Sequence, residues 1–155
     1  MRRSDREISD FQEIEKIISK ADVCRVAFAN DNIPYIVTMN FGYVTGPAKK
    51  LYFHCANEGR KLKMMLLNSY VCFEMDTDHQ LNTGTRSCDW GMKYSSVVGY
   101  GNLHIVKGQE ERKAGLDSIM AHYGGPELND YDNKVLEHTT ILRLDIQEVT
   151  GKSKA

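Results

Sequence analysis

The chain has 155 residues, 41% of them hydrophobic and 26% charged, the size and balance of one globular domain with a single core rather than a disordered chain. Twenty basic against twenty-one acidic side chains leave a formal net charge of -1, so no global basic field favours nucleic acid or an anionic membrane, and any phosphate affinity must be local. No apolar run approaches the roughly 20 residues that span a bilayer, and the opening MRRSDREISDFQEIE has no apolar signal core behind its arginines, so a cytoplasmic location is expected.

A first helix is expected from about Asp10 to Lys20, because Ser9 and Gln12 form a capping-box pattern and Phe11, Ile14, Ile17 and Ile18 recur at helical spacing. The next segments, 23–29 and 33–44, are rich in β-branched and aromatic residues. They are joined by the turn-prone triplet Asn30-Asp31-Asn32 and read as an antiparallel hairpin. Two further strands, 51–55 and 70–75, flank a short helix that opens at Gly59-Arg60-Lys61. After a polar stretch a long strand is expected over 94–106, then a helix over 109–123 whose apolar face is Leu116, Ile119, Met120 and Tyr123, stopped by Gly124-Gly125-Pro126. A last strand over 139–149 alternates Leu142, Leu144 and Ile146 inward.

That makes about six strands, following one another through short turns with helices inserted rather than alternating. The pattern predicts a mainly β fold, a small antiparallel barrel with flanking helices in one domain over 1–155, rather than a doubly wound parallel sheet. The mobile connections are expected at 45–50, 77–92 and 124–138. The middle one holds Trp90, the sole tryptophan, among polar residues, which is unusual for a simple linker. Cysteines 24, 55, 72 and 88 contain no C-x-x-C pair, which argues against a zinc knuckle and a redox dithiol, and no metal site or disulfide is expected.

The segment YFHCANEGRK (52–61) carries the strongest chemical signal. A helix start has unpaired N–H groups and the positive end of the helix dipole, so Gly59 followed by Arg60 and Lys61 makes a phosphate cradle. The alternative is a solvated helix start whose cations point to water. His54 ends a strand just upstream, either as a hydrogen-bonded structural residue or as a group beside the ring of a bound cofactor. Gly99 and Gly101 interrupt a strand, which indicates a bulge or the close approach of a flat ligand. Ser95 and Ser96 face solvent or supply hydroxyl donors. No dinucleotide fingerprint, paired carboxylates, G-x-S-x-G, H-E-x-x-H or Walker sequence is present.

The N-terminal MRRSDREI, PYIVTMNFGY (34–43), YFHCANEGRK (52–61), the VCFEM strand, CDW (88–90) and YSSVVGYGNL (94–103) occur in an order and spacing that spans nearly the whole chain. In this the chain resembles the nitroimidazole-resistance branch of the pyridoxamine 5'-phosphate oxidase-like flavoproteins. The resemblance implies a six-stranded split β-barrel that binds FMN and works as a homodimer with cofactors between subunits. It implies that Arg60 and Lys61 bind the FMN phosphate, with Gly59 allowing close backbone approach. Val37, Thr38, Met39 and Asn40 would run beside the isoalloxazine, and His54 would lie near ring and substrate. Trp90, Ser95, Ser96 and Val97 would come from the other subunit. The chain ends at TGKSKA, without the arginine- and histidine-bearing tail of true pyridoxamine phosphate oxidases, so vitamin B6 oxidation is not expected.

Three functions follow from this reading. The first is a flavin oxidoreductase acting on a small planar acceptor such as a 5-nitroimidazole, with His54 orienting the acceptor or supplying a proton. The second is a non-catalytic FMN-binding sensor or reservoir. The third keeps the barrel and changes the ligand to haem or a deazaflavin.

Overall fold

The computed structural model describes residues 3–126 and 130–154. After a 3-10 turn at Ser4–Arg6 and a two-residue strand β1 (Glu7–Ile8), helix α1 spans Phe11–Lys20 and buries Ile14, Ile17 and Ile18. Its cap is Asp10 rather than the expected Ser9: the Asp10 carboxylate accepts the Gln12 N–H at 2.9 Å. The two residues compete for one position, and the helix starts one residue later than a Ser9 cap would require.

Strands β2 (Cys24–Asn30) and β3 (Ile33–Met39) form the expected hairpin, with Asp31 and Asn32 both at positive φ, 49° and 61°. This is the backbone that a tight two-residue hairpin turn needs, and short polar residues tolerate it best. The expected single strand over 33–44 is broken. Asn40 and Phe41 leave the sheet and the chain re-enters it as β4 (Gly42–Val44), paired with β5 (Lys50–Ala56) rather than with β2. Phe41 is fully buried, its ring 4.2 Å from that of His122, and its N–H donates to Tyr123 Oη.

Helix α2 (Arg60–Leu67) leads into the long strand β6 (Tyr70–Asn82). Strand β7 covers Gly91–Ile105, helix α3 covers Gln109–His122, a short helix α4 covers Asn133–Glu137, and β8 covers Thr139–Lys154. The expected loop over 77–92 therefore shrinks to 83–90, which contains a 3-10 turn at Ser87–Asp89, and the last strand runs five residues past the expected end. These extensions are polar, and they are strand because β6 and β8 pair with the two edges of β7. The expected mobile segment 124–138 contains α4, and its residues 127–129 lie outside the described residues.

The strands are hydrogen-bonded in the order β3-β2-β6-β7-β8-β5-β4, with β1 added beside the end of β8, and every pairing is antiparallel. Among the described residues, six strands have seven residues or more. The two ends of this path, β3 and β4, are joined covalently through Asn40 and Phe41, so the chain wraps the sheet into a barrel whose seam lies between them. The fold is the expected split barrel with flanking helices.

Phe28, Phe41, Phe53 and Phe73 fill the interior with Val26, Met75, Leu142 and Leu144, and α1 packs its isoleucine stripe onto this core. Each fully buried side chain of this size contributes about 1.5–3 kcal/mol of transfer free energy. A smaller cluster of Tyr52, Val106, Ile119 and Ile141 lies under α3. Of the expected apolar face of α3, Ile119 is buried, whereas Tyr123 is exposed and donates its hydroxyl to the Asp22 carbonyl at 2.7 Å.

Candidate cofactor site

Alternation along β5 decides what the 52–61 segment can offer. Leu51, Phe53 and Cys55 point into the barrel and are buried. Tyr52 points outward but is covered by α3, against Gly115. His54 also points outward, lies beyond that cover, and is exposed. Among the described residues it makes no hydrogen bond or ion pair, so the side chain is not spent on holding the fold. Burial pushes the Cys55 thiol above its ordinary range, and the nearby Lys61 ammonium only partly offsets this, so Cys55 stays protonated and is no nucleophile.

The turn after β5 delivers the start of α2. Gly59 caps the helix at φ 134°, where glycine is strongly favoured, and a Cβ built there would meet nothing within 4 Å. No side chain caps the helix and no acidic residue stands in its first turn. Among the described residues neither Arg60 nor Lys61 makes a hydrogen bond or an ion pair. The Arg60 guanidinium instead lies over the Tyr35 ring, 4.5 Å from its centroid. Open N–H groups, the positive end of the helix and two uncommitted cations are the donor set that a phosphate group requires.

The cradle is held by its neighbours. Asn57, in the turn itself, donates from Nδ2 to the Glu137 carbonyl at 2.8 Å and accepts from the Thr140 hydroxyl at 2.7 Å. Arg112 of α3 donates to the carbonyls of Leu136 and Thr139, so the end of α4 is clamped beside the turn. Neither Tyr35 nor Asn57 was singled out by sequence reasoning. Asn57 carried a usable signal as a turn asparagine; the contact of Tyr35 depends on how α2 folds over β2 and β3.

Beside this corner runs β3, an edge strand of the sheet. Thr38 and Asn40 are exposed, Val37 is half-buried, and Met39 is buried in the core. The Arg60–Tyr35 contact thus brings the helix start and β3 together within one chain.

The remaining expected residues lie elsewhere. His54 is in register with Ile141, near the start of β8, whereas Ser96 is in register with Lys152, near its end. Ser95 faces α1 and shares a 3.2 Å hydroxyl contact with Ser153. Val97 is fully buried. Trp90 stands at the tip of the β6–β7 hairpin, 54% exposed, with Nε1 donating to the Gly84 carbonyl at 2.9 Å. Gly99 and Gly101 are accounted for by the sheet itself: Gly99 packs against the Phe73 ring, and Gly101 sits at a register slip between β7 and β8.

The family model described as pyridoxamine 5'-phosphate oxidase matches residues 10–153. No curated protein matches the chain by sequence. Among solved structures, a candidate 5-nitroimidazole antibiotic resistance protein from Bacteroides thetaiotaomicron is 32% identical, with a TM-score of 0.82 over 95% of this chain and 86% of that one. An FAD-binding protein from Mesorhizobium loti is 22% identical, with a TM-score of 0.70 over 97% of this chain and 98% of that one. The flavocytochrome Anf3 from Azotobacter vinelandii is 16% identical, with a TM-score of 0.81 over 100% of this chain and 72% of that one. The last two share the fold alone. With a family match over nearly its full length and a relative above 30% identity, the chain belongs to the pyridoxamine 5'-phosphate oxidase family.

Proposed function

We propose that this protein is an FMN-dependent oxidoreductase that acts as a homodimer in the cytoplasm on a small planar acceptor, with 5-nitroimidazoles the class to test first. The observation that carries the reading is the start of α2: a glycine cap at φ 134°, no first-turn acid, and Arg60 and Lys61 without a protein counter-ion among the described residues. Bound FMN would supply the electron transfer. The protein's part is to hold and orient it.

Arg60 and Lys61 take the phosphate, and Gly59 lets the backbone N–H groups approach it. Val37, Thr38, Met39 and Asn40 line the ring along the edge of β3, with Thr38 and Asn40 offering polar atoms and Met39 backing them from the core. A flat, partly polar ring laid along an exposed edge strand needs cover on a second side. A second copy supplies Trp90, Ser95 and Ser96, with Val97 supporting the strand from within. His54, exposed and without a hydrogen bond or ion pair among the described residues, orients the acceptor or delivers a proton to it. The relative that is 32% identical supports the choice of acceptor class.

The test is anaerobic purification followed by an absorption spectrum and the mass of the released ligand. Flavin bands with the mass of FMN are expected. A Soret band points instead to haem, and a colourless protein that refuses added FMN ends the reading. Changing Arg60 and Lys61 together to alanine should strip most of the cofactor, since each charge-assisted contact contributes about 1.5–3 kcal/mol.

A further inference from the structure

Arg60 combines two properties that rarely occur together on a long, flexible side chain. It makes no hydrogen bond or ion pair among the described residues, yet its position is defined, because its guanidinium rests 4.5 Å from the centre of the Tyr35 ring. An ion pair would also orient an arginine, but it would occupy the N–H donors and neutralise the charge. An aromatic face does neither: it attracts the flat cation through the ring quadrupole and leaves all five donors at the rim.

The ring is itself supported. Tyr35 stands opposite Phe28 in the β2–β3 hairpin, with the two ring centroids 6.2 Å apart and tilted by 39°. Phe28 is 1% exposed and belongs to the main core, against which Tyr35 packs. A chain of contacts therefore runs from the core through Phe28 and Tyr35 to the guanidinium at the start of α2.

From this geometry we propose that Tyr35 is a positioning residue for anion capture: it presents Arg60, ready-oriented, to the terminal phosphate of the ligand. The inference rests on the cradle reading given above and adds to it a residue that touches no ligand. Its role is to reduce the ordering cost that a free arginine would pay on binding. The aromatic face is what matters, so phenylalanine should replace tyrosine and leucine should not.

The test compares FMN with riboflavin, which carries the same ring system and no phosphate, by titration of apoprotein and fluorescence quenching. The wild type should bind FMN the more tightly. Tyr35→Leu should lower FMN affinity by about two- to fivefold, the range for a cation on an exposed aromatic face, and leave riboflavin affinity unchanged. Tyr35→Phe should behave as the wild type. In an Arg60→Leu background the Tyr35→Leu change should have no further effect on FMN, because the two act through one contact.

A merely structural role would move both ligands equally, and that result overturns the inference while leaving the cradle intact. A Tyr35→Leu effect that persists at full size without Arg60 also overturns it. If Tyr35→Leu does not fold, Tyr35→Phe and the Arg60→Leu single variant still decide: a Phe variant that loses the FMN preference contradicts the aromatic-face argument. A wild-type protein that holds riboflavin as tightly as FMN overturns the cradle itself, and this inference with it.

Discussion

Gly101 of β7 lies directly against the backbone carbonyl of Asp145 in β8, at the point where their register slips between Tyr100 and Gly101. The extra residue, Gln147, is on β8, and a β-bulge of this kind lets a 16-residue strand that borders a small barrel turn sharply. Because the obstacle is backbone rather than a mobile side chain, nothing can swing aside to admit a Cβ. Gly101→Ala should lower stability by about 1–3 kcal/mol. In urea unfolding at matched protein concentration, the midpoint should fall with the slope unchanged. An unaltered midpoint would show that the two strands can part without cost.

The cap of α1 offers a sharper comparison, since Ser9 and Asp10 are adjacent and only one holds the Gln12 N–H. Asp10→Ala should cost about 1 kcal/mol, whereas Ser9→Ala should stay within about 0.5 kcal/mol of the wild type. Both are read from thermal melts. A reversed order of the two losses would place the helix start one residue earlier.

These two sites mark where the sequence was readable and where it was not. The isoleucine stripe of α1, the β2–β3 turn and the glycine-cation start of α2 are local patterns, and local physics places them correctly. The break at Asn40 and Phe41 is not local. Residues 33–44 read as one strand because β-branched and aromatic residues dominate them and outweigh Asn40 and Gly42; the break is fixed only once Phe41 is buried beneath the end of α3. The polar ends of β6 and β8 were invisible for the same reason, since they are strand only by pairing with β7. At the site, Arg60 and Lys61 stood out as charges in an unfavourable place for a helix. Tyr35 did not, because its contact is made by packing between elements far apart in sequence.

A charged cluster ties α3 to the sheet. Arg143 of β8 donates from Nη1 to Glu111 at 2.8 Å and from Nη2 to Asp145 at 3.0 Å, and Tyr52 donates its hydroxyl to the same Glu111 carboxylate. The hydrogen bond from Arg143 holds the Glu111 carboxyl below its ordinary value of 4.5, and burial of the Tyr52 hydroxyl pushes that group up to about 12. A carboxyl depressed in the folded state stabilises the protein above its unfolded value, and that contribution disappears as pH falls through the depressed one. The melting temperature should therefore drop as pH is taken below about 4.5. Glu111→Gln, which keeps the shape and loses the charge, should make that drop shallower. Equal slopes for the two proteins would mean that the cluster adds nothing to acid stability.

His54 separates catalysis from architecture most directly. The side chain is exposed on β5 and makes no hydrogen bond or ion pair among the described residues, so His54→Ala should keep stability within about 0.5 kcal/mol of the wild type and leave the melting temperature nearly unchanged. FMN affinity should also hold, because the phosphate cradle begins five residues later at Gly59. What should change is transfer to the acceptor: with photoreduced protein mixed anaerobically with a 5-nitroimidazole, return of the oxidised spectrum should slow by about 100-fold if His54 delivers the proton. A variant that reoxidises at the wild-type rate would remove His54 from the chemistry. One that melts several degrees lower would give it a structural role that its exposure does not foreshadow.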